Sequence, residues 1–190
     1  PTFFAASIPP VASRWIIPPF AENDGHDPTS AGGVTAGRMS LQRWEFAEPV
    51  MITGFATEVQ GTPGAGGVIR FGLYDSLSAT APVPGTEVTA DAATGGYKQA
   101  TGIAVTVPAG EYWVACAVQG AKAMVRHFKP TSFYRYWDEP HNALQMLGNW
   151  SDGAATSRWV NGVTGALPNL SASTILHPWE GPLAVTVRIG

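Results

Sequence analysis

The chain has 190 residues, 45% of them hydrophobic but only 13% charged, with a net charge of −3. That length buries a sizeable core as one domain without staples. Its 11 scattered Lys and Arg form no basic stripe for phosphates, and no run of about 18 apolar residues is present to span a bilayer, so neither nucleic acid nor membrane insertion is expected.

The low charge is made up by Gly (22), Pro (16) and small polar residues, a mix that favours turns and short strands over exposed helices. Residues 1 to 35 read as an irregular arm, broken by Pro9, Pro10, Pro18 and Pro19, with only SRWII at 13 to 17 showing strand character. Lacking a basic n-region, the first 20 residues do not read as a signal peptide. Ala21 to Gly33 reads as an irregular excursion. It contains ENDGHD (22–27), whose Glu22, Asp24 and Asp27 cluster around Gly25 without EF-hand spacing, so a solvated turn is favoured over a Ca²⁺ site.

From Arg38 the pattern becomes β. MSLQRWEF alternates Met39, Leu41, Arg43 and Glu45 with Ser40, Gln42, Trp44 and Phe46, and a second β run from Pro49 to Val59 passes through Gly54. TPGAGG (62–67) is a turn between β runs rather than a phosphate cradle, which would need a following helix. In VIRFGLY (68–74), Ile69, Phe71 and Leu73 should face the core, opposite Val68, Arg70, Gly72 and Tyr74. A loop then leads to a short strand near Val88, residues 97–107 alternate again, and Pro108-Ala109-Gly110 makes a tight turn. EYWVACAVQG, nearly all apolar, is a strand buried on both faces. Its Cys116 is the single cysteine, so it makes no intrachain disulfide and reads as a small buried hydrophobe. Ala123 to Phe128 gives one more strand. At the C-terminus, Leu183, Val185, Val187 and Ile189 share one face.

About eight short strands with turn signals between them predict an all-β, antiparallel β-sandwich, jelly-roll-like, as a single domain. It carries an irregular N-terminal arm and an aromatic-rich long insertion at 130–173. DEPHNALQML (138–147) is the single plausible helix, capped by Asp138.

The block RFGLYDS…PGTEV…GGYKQATGIAVTVPAGEYWVACAVQGA resembles β-sandwich modules of tailed-bacteriophage structural proteins, including tail fibres and head- or tail-borne appendages. The residues that carry the resemblance are Arg70, Gly72, Tyr74, Pro84, Gly85, Val107, Gly110, Tyr112, Trp113, Val114 and Ala115. GRMSLQRWEFAEPVMITGFATEV looks like that family's lead-in strands. The resemblance covers about residues 37–120 and a final strand near 183–189. It implies a non-catalytic virion protein used for assembly or for contact with host surfaces, with neighbouring virion proteins and further copies of itself as partners. A trimer is expected by analogy.

The four histidines show no HExxH or His-x-His spacing, and neither G-x-S-x-G nor a P-loop occurs, so no metal, cofactor or nucleophilic chemistry is signalled. Asp138-Glu139 with Asp152 are the candidate carboxylates for glycoside hydrolysis, a weaker reading than a non-enzymatic one. The residues singled out for binding are Tyr134, Arg135, Tyr136, Trp137, Trp150 and Trp159, because aromatic rings stack on sugars and Tyr, Trp and Arg are enriched at the hot spots of protein interfaces. The other reading of this segment is a long loop packing on its own side chains. A protein partner, a host glycan or self-packing all remain open for it.

Overall fold

The computed structural model describes residues 14–16, 29–128, 157–176, 183 and 185–190. Among these the chain forms two antiparallel sheets packed face to face, the sandwich expected from the alternating pattern. The strands are β1 (Arg14–Ile16), β2 (Thr29–Val34), β3 (Arg38–Phe46), β4 (Val50–Gln60), β5 (Val68–Tyr74), β6 (Val88–Asp91), β7 (Gly96–Val107), β8 (Gly110–Gln119), β9 (Ala123–Phe128), β10 (Ser157–Val160) and β11 (Thr186–Ile189).

β4 organises the first sheet. One of its edges pairs with β7 between Val50 and Val59. The other pairs with β11 over Ile52 to Ala56, then with β9 at Val59 and Gln60. β1 extends the sheet beyond β11 and β2 extends it beyond β9. At Gly54 the β4–β7 register shifts, and a Cβ there would lie 2.7 Å from the Ala100 carbonyl oxygen, so the close approach requires glycine. The second sheet has the order β10-β3-β8-β5-β6.

The core between the sheets takes Ile69, Phe71 and Leu73 from β5 and Val114, Cys116 and Val118 from β8. Ile52, Phe55 and Val59 from β4 meet them, as do Leu183, Val185, Val187 and Ile189. Phe55 and Phe71 stack across the interface at 5.8 Å. These are the faces that the alternation of β5 and of the C-terminal run dictates. Cys116 is fully buried, and burial pushes its thiol above the ordinary range.

A second cluster covers the outer face of β3, β8 and β5: Met39, Leu41, Tyr74, Trp113, Ala115 and Ala117, under Val160, Val163, Leu167 and Leu170. β8 is thus buried on both faces, as its uninterrupted apolar run predicts. The cover is residues 161–176, which cross this sheet as a strap and include a 3₁₀ turn at Leu170–Ala172. The strap is held at successive points. The Val163 amide donates to Gly37 O, and the Gln119 side-chain amide donates to Val163 O and Gly165 O at 3.1 and 2.7 Å. The Leu167 amide donates to Glu87 Oε1, the Tyr74 hydroxyl to Pro168 O at 2.7 Å, and the Leu170 amide to Ala79 O. Leu176 then returns to exchange backbone hydrogen bonds with Trp159.

Two sequence expectations change. Thr29–Val34, read as part of an irregular excursion, is a strand, because its backbone finds a full partner in β9. Residues 157–173, read as the end of an insertion, belong to the scaffold, since β10 pairs with β3 and the strap closes the outer cluster. Most of the long aromatic segment, with its candidate helix, carboxylates Asp138, Glu139 and Asp152, and the acidic cluster at 22–27, lies outside the described residues.

Candidate binding surface

With the strap over the second sheet, the outer face of the first sheet is where exposed side chains gather around a buried centre at Gly54 and Ala56. Three rungs of pairing assemble it. Trp15, Arg188, Gly54 and Thr101 lie side by side across β1, β11, β4 and β7; Thr186, Ala56 and Gln99 form the next rung; Glu58 and Tyr97 the third. Gly54 and Ala56 make a low floor. Above it Trp15 meets Tyr97 edge to face, with ring centroids 6.4 Å apart. The Tyr97 hydroxyl bonds Thr186 Oγ1 at 3.1 Å, fixing the ring while leaving Tyr97 52% exposed.

Beside the aromatic pair, Arg126 grips Glu58 through two nitrogens, at 2.6 Å from Nε and 3.1 Å from the second, and Gln60 adds a weaker bond to the same carboxylate. Such a fork–fork pair holds two planar charged groups in fixed orientation at the surface. Met124 (45% exposed) and Met51 (38%) extend the apolar part of the face. Aromatic, Met and Arg side chains together are the composition found enriched in protein interfaces.

The residues singled out from the sequence fall elsewhere. Tyr134, Arg135, Tyr136, Trp137 and Trp150 lie outside the described residues. Trp159 is described, and it lies inside: pairing opposite Ser40 turns its indole into the inter-sheet core, with the Arg38 guanidinium 4.9 Å from the ring centre. On the opposite face of β10, Arg158 lies over Trp113 at 5.7 Å, and burial lowers its affinity for its proton.

Three of the residues singled out from the β5 run in the sequence have structural roles. Arg70, Gly72 and Tyr74 alternate on the strap-facing side of β5. Arg70 bonds Glu87 at 2.7 Å and Gln119 at 3.2 Å, orienting the two side chains that hold residues 163–167. A Cβ on Gly72 would lie 2.3 Å from Leu167 Cδ1, so a side chain there would force the Leu167 side chain to turn. Tyr74 supplies the bond to Pro168, and burial, with Glu87 adding to it, raises its phenol above the ordinary range.

Tyr97, Thr186 and Trp15 escape sequence reasoning because they come from three strands far apart in the chain. Tyr97 alone carries a signal, as an aromatic on the polar side of an alternating strand. Among the described residues no group of three or more His, Cys, Asp or Glu is placed to hold a metal ion. The chain matches no protein-family model, no curated protein and no solved structure.

Proposed function

We propose that this chain is a non-enzymatic structural protein of a bacteriophage virion, a head spike, decoration or tail-fibre subunit, which acts by assembling with copies of itself and with neighbouring virion proteins. The observation that carries the assembly part is the open face of the first sheet, where Tyr97, Met124 and Met51 are exposed beside Trp15 and the Arg126–Glu58 pair. The virion part rests on the resemblance of residues 37–120 to phage sandwich modules. A scaffold whose second sheet is sealed by its own chain is suited to rigid display. Light scattering tests assembly: the mass should be a multiple of the 20.0 kDa chain, three by analogy, and Tyr97→Glu with Met124→Glu should lower it. A monomer at micromolar concentration overturns the reading.

A second reading, a module that binds host or environmental polysaccharide, is favoured by one feature of the same face. An exposed aromatic ring lies next to a carboxylate and a guanidinium that can bridge sugar hydroxyls. A glycan array separates the cases. Binding lost in Tyr97→Ala assigns the sugar to this face, binding lost in Tyr136→Ala and Trp137→Ala assigns it to the aromatic segment, and an array without signal removes the sugar reading.

A further inference from the structure

The inner face of β3 and β10 holds three polar side chains where a sandwich core ordinarily holds hydrocarbon. Ser40 and Gln42 are each 1% exposed and Trp159 is 4% exposed. Ser40 sits directly opposite Trp159 in the β3–β10 pairing, and Gln42 lies two residues along the same face. Cβ atoms in such positions are within about 7 Å of one another. Ser40 Oγ, Gln42 Nε2 and Trp159 Nε1 are all buried and make no hydrogen bond among the described residues. In a close-packed interior polar atoms are nearly always paired, so three orphans on two adjacent rungs mark a place where something else supplies the partners.

The chemistry of the three atoms limits what that is. An indole nitrogen only donates. The Gln42 amide is oriented by its neighbour: Trp44 Nε1 donates to Gln42 Oε1 at 3.2 Å, and since an indole cannot accept, the oxygen must face Trp44 and the NH₂ must face away. The site therefore presents two committed donors and one hydroxyl that gives or takes. A water molecule answers this set, accepting from Gln42 and Trp159 while donating to Ser40. The Arg38 guanidinium lies over the Trp159 ring, 4.9 Å from its centre, but the β8 side of the site does not suit an anion. The neighbouring rungs are Cys116 and Val114, and the thiol of Cys116 is itself held protonated by burial. A charge there would be desolvated on its β8 side.

We infer that β3 and β10 enclose a binding site for a neutral, water-sized hydrogen-bond acceptor, formed by Ser40 Oγ, Gln42 Nε2 and Trp159 Nε1 and occupied by structural water. The water completes the hydrogen bonding of β10, the edge strand that begins the strap, and a one-residue slip of β10 would turn Trp159 out of the site. The site thus adds to the register selection of a four-residue strand that pairs with β3 on one side and is bridged to Leu176 on the other.

Two measurements on the full chain test this. In a crystal structure that resolves solvent, one water should lie within hydrogen-bond distance of at least two of the three atoms. With ¹⁵N-labelled Trp, the Trp159 indole proton should show a nuclear Overhauser cross-peak to long-lived water, and the Trp44 indole, already bonded to Gln42, should not. In Gln42→Met, close in volume, the Trp159 cross-peak should fall at least several-fold; Ser40→Ala provides a second variant should Gln42→Met fail to fold. A side chain from residues 129–156 bonded to these atoms overturns the inference. So does a dry site, or density that refines as chloride or sulfate.

Discussion

At Gly72 the cost of a single methyl group can be read from one side chain that it would meet. Any side chain there would occupy the place of Leu167 Cδ1, so Leu167 must turn away or the strap must lift. Overpacking of this kind costs about 1–3 kcal/mol. Gly72→Ala should lower the urea midpoint with an unchanged slope, and the loss should shrink when Leu167→Ala makes room in the same chain. Additive losses in the double mutant would show that the two residues do not meet. Single residues also mark the limits of reading the sequence. Ile69, Phe71 and Leu73 declare their inner face because strand geometry sends alternate side chains to opposite sides. Ser40 and Gln42 occupy the same inner face yet declare nothing, because polarity normally signals solvent. Their burial is decided by β8 and β10 on either side.

The strap shows the same divide for a whole element. NGVTGALPNLSAST has no period of two and little apolar content, so it reads as loop. Its position is fixed by partners from β5 (Tyr74), β8 (Gln119) and the loop between β5 and β6 (Ala79 and Glu87). β10 and β2 were illegible for a related reason, since SRWV and TSAGGV become strands through the edges that receive them. β8 was legible because its ten residues are apolar enough to need cover on both sides. Gln119 bridges two strap carbonyls, so Gln119→Ala leaves both without that donor and leaves Arg70 without one of its acceptors. The expected loss is about 1–3 kcal/mol. Hydrogen exchange at the Val163 and Leu167 amides should accelerate well before exchange in β4, which lies in the other sheet. Uniform acceleration would mean that the strap and the sandwich open together.

The whole molecule is set up to be sensitive to alkali. Tyr74 and Cys116 hold their protons more tightly in the folded chain than in the unfolded one, where their ordinary values are 10.0 and 9.0. For a group raised in this way, the stabilisation is complete below the ordinary value and is lost as pH climbs above it, because the unfolded chain gives up the proton first. Each group should remove about 1.4 kcal/mol per pH unit beyond that point. The urea midpoint should therefore be flat near about pH 8 and fall towards about pH 11, and Tyr74→Phe should flatten the upper part of the fall. A midpoint unmoved by alkali would contradict the burial of both groups. The open face of the first sheet is also a property of the whole fold. Trp15, Thr186 and Tyr97 become neighbours only after β1, β11, β4 and β7 have paired, which is why the sequence pointed to the contiguous aromatics at 133–137 and 150 instead.

The strap also sets a timetable for a ribosome. Met39, Leu41, Trp113, Ala115 and Ala117 are all synthesised before residue 118, yet their cover, Val160 to Leu170, emerges more than 40 residues later. β4 waits longer still, since its partner β11 begins at Thr186, 130 residues after Ala56. A nascent chain therefore carries a bare apolar sheet while more than 40 further residues are made, and long-range closure of this kind is slow. Halting synthesis between residues 120 and 157 should yield chains that chaperones hold and proteases cut, while extension past the strap should release them together.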